Sequence, residues 1–226
     1  MIRTESGALG GHDEENRNLM PRILVKLSGI ALLLSGILAT VGFFIHPHDS
    51  APSNRGIWLG AHILVIGGGL LNLLGLVGLY LVSAAQLGLT GLSGFLLAAV
   101  SLVLYLGKLY WSAFIYPLVM ARDAAFIRSY GFTPGSEPVD PTVRIVFYLG
   151  PILFAIGYAL LGLSLLRVRA YPAPALWALI AGVLLVGLWP LLPGAVQSLG
   201  VVVSVIYTTG IVWIGYLLAK ARDVVA

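Results

Sequence analysis

His46-Pro47-His48-Asp49 closes one apolar stretch of the chain, and His62 stands a short way into the next. Imidazole and carboxylate are ligands for Zn²⁺ or Cu²⁺, provided that three or four of them converge within about 2.0–2.2 Å of the ion. The spacing permits such a site at His46, His48, Asp49 and His62. The plainer account is a short polar loop rich in histidine, with Pro47 ending the helix before it. A haem is less favoured, because a bis-His site needs axial ligands at matching depth and only His62 lies clearly within an apolar stretch. We therefore expect no cofactor and keep the four residues as a candidate metal set.

Lys108 is the second unusual group. Ser101, Tyr105, Lys108 and Ser112 recur at i, i+4, i+7 and i+11, which places them on one face of a helix. A charge at membrane depth costs several kcal/mol unless it meets a partner, reaches water or extends to the headgroups. Tyr110 and Trp111 beside it favour snorkelling into an aromatic belt. The alternative is an ammonium facing a cavity for a polar or anionic ligand. Such a cavity would draw on Asn72, Tyr105, Tyr148 and Tyr158, which lie on small or polar faces of their own segments.

The elements that must position these groups are apolar. The chain is 59% hydrophobic and 10% charged, with mean hydropathy +0.98, against about 25% charged for a soluble domain. Six segments reach bilayer length, at about 23–45, 57–82, 89–118, 143–166, 175–192 and 196–219. The expected fold is all-α, a polytopic integral membrane bundle of six transmembrane helices. A polar tail, residues 1–22, precedes the transmembrane domain of residues 23–219 and is expected to be disordered; a short tail, residues 220–226, follows it. Spans two, three, four and six carry polar or small faces, and are expected to form the interior. Residues 120–130 read as an interfacial helix, followed by a turn at Thr133-Pro134-Gly135-Ser136.

Lysine and arginine set the orientation. With a cytoplasmic N-terminus, Arg3, Arg17, Arg22, Lys26, Arg167, Arg169, Lys220 and Arg222 fall inside, and Arg55, Arg122, Arg128 and Arg144 outside. Both termini are thus expected in the cytoplasm, and the protein in the plasma (inner) membrane.

Other chemistries leave no motif. With no cysteine, thiolate metal sites, disulfides and cysteine nucleophiles are excluded. GxGxxG after a strand, GxxxxGK[ST], HExxH and GxSxG are all missing. The net charge of +4 is scattered over both faces, which suits orientation and anionic lipid rather than nucleic acid. The leading expectation is a non-enzymatic membrane subunit, scaffold or sensor, whose partners are the bilayer and a membrane protein or a second copy. A small-molecule carrier or channel using Lys108, and a metal- or haem-binding redox protein using His46, His48 and His62, are the alternatives.

Overall fold

Asn54 begins the longest helix because its side-chain oxygen accepts the N–H groups of Gly56 and Ile57, at 3.0 and 3.1 Å, two of the donors that a helix start leaves without partners. The computed structural model describes residues 9–47, 54–129, 140–188 and 200–220, all helical apart from short connections. Its elements are α1 (Leu9–Ile45), α2 (Arg55–Tyr110), a π-helical turn (Trp111–Ile115), α3 (Tyr116–Arg122), α4 (Ala124–Ser129), α5 (Pro141–Arg167), α6 (Ala173–Leu188) and α7 (Gly200–Lys220). Among the described residues, four helical stretches are long and apolar enough to cross a membrane: Arg22–Ile45, Arg55–Arg122, Tyr148–Arg167 and Val202–Lys220. Helix α6 is apolar but shorter.

Helix α2 is a hairpin. At Gly88 φ is +61° and ψ −165°, a region essentially reserved for glycine, and the helix folds back on itself there. Tyr80 and Phe95 stack with ring centroids 4.5 Å apart, whereas an unbroken helix would hold residues 80 and 95 about 22 Å apart. A Cβ on Gly69 would lie 2.9 Å from the Leu106 side chain, a separation of about 55 Å along a straight helix. The break falls in the expected gap between spans two and three.

The remaining neighbours are also antiparallel. Gly29 faces Ala219 while Gly215 faces Leu33, Gly94 faces Leu161 while Gly157 faces Ala98, and Gly182 faces Tyr207 while Gly210 faces Leu179. Each pair runs one helix down as the other runs up. The main contacts join α1 to α2, α2 to α5, α5 to α6, α6 to α7 and α7 back to α1. The chain therefore closes into a ring in which sequence neighbours are spatial neighbours. Where glycine faces glycine-rich backbone, a Cβ would run into the main chain opposite, so the small residues set how close the helices come.

Helix α1 begins at Leu9 and runs through Gly10, Gly11 and Pro21, so it takes in residues 9–22 of the polar segment. One expectation is corrected. The ring places α1 and α6 on equal terms with the rest, since Leu32, Leu176, Leu179 and Val183 are all fully buried. Lipid is as apolar as a protein interior, so a purely apolar helix is not thereby peripheral. The helices α3 and α4 cover most of the expected interfacial segment, divided at Asp123, whose carboxylate accepts the N–H of Phe126 at 2.9 Å. The turn at 133–136 lies outside the described residues, as do residues 1–8, 189–199 and 221–226.

Candidate functional site

Two groups of side chains stand out, one at an end of the ring and one at its centre. At the end, His46, Trp58 and His62 pack as a triangle, with ring centroids 4.9 Å (His46 to Trp58), 4.8 Å (His46 to His62) and 4.6 Å (Trp58 to His62) apart. Tyr116 stacks on Trp58 with centroids 5.7 Å apart, and Ile127 of α4 is buried against the same group. His62 lies one helical turn beyond Trp58, which brings its Nδ1 2.8 Å from the Trp58 carbonyl oxygen. A carbonyl only accepts, so Nδ1 carries a proton, as assigned from this network. In the neutral ring, Nε2 then accepts the Ser112 hydroxyl at 2.9 Å. Ser112 also uses its carbonyl oxygen, which accepts the Trp58 indole N–H at 2.9 Å. It sits in the π-helical turn, where the Tyr116 N–H reaches back to the Trp111 carbonyl.

The geometry brings His46 and His62 together, as the spacing allowed. His48 and Asp49 lie outside the described residues. Anchoring of Nδ1 on a backbone carbonyl is how metal-bound histidines are commonly oriented, but Nε2 here meets the Ser112 hydroxyl. Among the described residues no group of three His, Asp or Glu side chains is placed to hold an ion.

At the centre, helix hydroxyls close on an amide. Tyr158 of α5 donates to the Asn72 side-chain oxygen at 2.8 Å, and the Asn72 Nδ2 donates to the Tyr207 hydroxyl of α7 at 2.5 Å. In ring order these are alternate helices, so the trio spans the interior rather than one seam. Phe154 packs against both tyrosines, with centroids 4.8 and 5.2 Å away. Tyr105, on the second arm of α2, is half-buried. Each member is a polar group that would cost several kcal/mol if left alone in apolar surroundings; together they satisfy one another.

Lys108 follows Tyr105 by one turn. On this arm the exposed apolar stripe runs through Leu96, Val100, Val103, Tyr110 and Phe114, and at ~100° per residue Lys108 is turned well away from it. Its side chain remains exposed, on the arm of α2 whose Gly94 and Ala98 pack against α5. Gly150 of α5 is buried, yet a Cβ there would meet nothing within 4 Å. Tyr148 stands half-buried at the same end.

Of the expected cavity set, then, Asn72 and Tyr158 bond directly, while Tyr105, Lys108 and Tyr148 take no part in that bond. Sequence reading missed Tyr207 and Trp58. Tyr207 stands next to Thr208 on the small-residue stripe of its helix, and Trp58 precedes His62 by four, so both offered a spacing signal that their aromatic type obscured. No protein-family model, curated protein or solved structure matches this chain.

Proposed function

We propose a six-span plasma-membrane protein with both termini cytoplasmic, acting as a non-enzymatic membrane subunit, scaffold or sensor. The hairpin at Gly88 supports counting Arg55–Arg122 as two passes. Helix α6, at 16 residues, reaches about 24 Å against the ~30 Å of a hydrocarbon core, so it crosses with its flanks.

One observation carries the preference for this reading over a carrier. A transported solute would pass between the helices near mid-depth, where carrier sites lie. Asn72, Tyr158 and Tyr207 meet there and bond to each other, so the route is spent on internal cohesion. Reconstitution into liposomes tests it. Solute and ion flux should match protein-free vesicles, while cross-linking in intact cells should trap either a membrane protein partner or a second copy. Saturable uptake that Lys108→Ala abolishes would overturn the reading in favour of a carrier.

The exposed Lys108 ammonium, turned off the apolar stripe of its helix, favours a second reading, binding of a small anionic ligand without transport. A panel of small carboxylates and phosphates that raises the melting temperature of the wild type, and not of Lys108→Ala, is its signature.

A further inference from the structure

Between α1 and α7 runs an open apolar groove of about 630 Å³. Leu33, Ile37 and Thr40 form one wall, and Thr209, Trp213 and Tyr216 the other. Its threonine hydroxyls turn their protons onto the helix backbone. Thr40 donates to the Gly36 carbonyl at 2.8 Å and also lies 2.9 Å from the Thr208 hydroxyl, while Thr208 and Thr209 donate to the Ser204 and Val205 carbonyls at 2.9 and 2.8 Å. The surface that remains is hydrocarbon in character.

Both walls end in a lysine at the same end. On α1, Lys26 precedes Leu33, Ile37 and Thr40 by 7, 11 and 14 residues; on α7, Lys220 follows Tyr216, Trp213 and Thr209 by 4, 7 and 11. These spacings put each lysine on the groove face of its helix. Because the helices are antiparallel, with Gly29 against Ala219, the two lysines meet at one level. Both are exposed, and the Lys220 Nζ lies 4.5 Å from the Tyr216 ring centroid. From Val205 to Tyr216 the groove is about 17 Å long, close to the ~15 Å hydrocarbon depth of one leaflet.

We propose that this groove holds one acyl chain of an anionic phospholipid, with the phosphate between Lys26 and Lys220. The inference rests on the membrane reading above and adds the identity of the bound lipid. An apolar channel of one-leaflet depth ending in two ammonium groups is complementary to a single amphiphile with a negative head. A zwitterionic lipid fits the channel but gains little at the lysines. A second copy of the chain would fill the groove without needing the charges.

Trp213 reports on the occupant. The protein is reconstituted in phosphatidylcholine vesicles containing a few mole per cent of phosphatidylglycerol, with brominated chains on one lipid or the other, and the Trp213 signal is taken as the difference from Trp213→Phe. Brominated phosphatidylglycerol should quench Trp213 at a several-fold lower mole fraction than brominated phosphatidylcholine. Lys26→Gln and Lys220→Gln should each weaken that preference by about fivefold, and Lys26→Arg should keep it. Val205→Phe, which narrows the groove, should lower quenching by both lipids. Equal quenching by the two lipids means ordinary annular lipid and overturns the proposal, as does efficient disulfide dimer formation by Ile37→Cys. Failure of the protein to enter vesicles at all would instead overturn the membrane reading on which it rests.

Discussion

The carbonyl oxygen of Ser112 accepts the indole N–H of Trp58 at 2.9 Å, and Pro117 is what leaves that oxygen available. In the π-helical turn the Tyr116 N–H bonds to the Trp111 carbonyl, so the Ser112 carbonyl would look one residue further, to position 117. Proline has no N–H to give. The oxygen is left for a side chain of the other α2 arm, and with the His62 to Ser112 hydroxyl bond it staples the open end of the hairpin.

Removing either half of the staple should destabilise the protein measurably. Trp58→Phe leaves the Ser112 carbonyl buried without its donor, at a cost of about 1–3 kcal/mol. Ser112→Ala removes only the hydroxyl contact with His62 and should cost about 0.5–2 kcal/mol. Equilibrium unfolding in mixed micelles gives both values, and wild-type stability in Trp58→Phe would contradict the assignment.

The central trio makes a different demand, because one amide serves two hydroxyls. Tyr158→Phe and Tyr207→Phe should each cost about 0.6–2 kcal/mol. In an Asn72→Leu background both should become nearly silent, since their common partner is gone. Additive losses in the triple variant would mean that the hydroxyls act independently of Asn72.

Glycines of the same chain should differ widely in tolerance. Gly157→Leu drives a side chain into the Ala98 backbone, and Gly94→Val into that of Leu161; neither should give a monodisperse protein by size-exclusion chromatography. Gly60 and Gly107 meet nothing within 4 Å. Alanine at either should leave stability unchanged or raised by up to about 1 kcal/mol, because alanine is the better helix former.

Two turns should respond in opposite directions to exchanges between glycine and other residues. Gly88→Ala forces a side chain into the φ +61°, ψ −165° backbone and should cost about 1–3 kcal/mol. Arg169 has φ +55° where α5 ends, with the Ala170 N–H on the Leu165 carbonyl and the Arg169 N–H on that of Leu166, both at 3.1 Å. That is the helix ending which usually carries glycine. Arg169→Gly should stabilise by about 0.5–1 kcal/mol in thermal unfolding.

The chain has no cysteine, so single cysteines report topology without background. A cysteine at Asn54 should react with an impermeant maleimide added outside intact cells, and one at Arg169 only after permeabilisation. The reverse pattern would invert the orientation.

Hydropathy alone determined that the chain is apolar and helical, and where it breaks: the gap near residue 88, the interfacial stretch after Met120 and the helix ends at Pro47 and Arg167 all follow from local composition. Periodicity also placed Tyr105 and Lys108 on one helix face, and Asn72 and Tyr158 on small or polar faces of theirs. Local signals suffice for these, because helix formation and membrane insertion act within one segment. Which segments touch was decided only in three dimensions. The ring arises from close backbone approach at Gly29, Gly94, Gly157, Gly182 and Gly210, and each such approach needs a complementary surface on a helix far away in sequence. Apolar character carries no such address, since lipid and protein interior reward it equally. That is why α1 and α6 read as peripheral yet close the ring, and why Tyr207 and Trp58 became visible only once Asn72 and Ser112 stood opposite them.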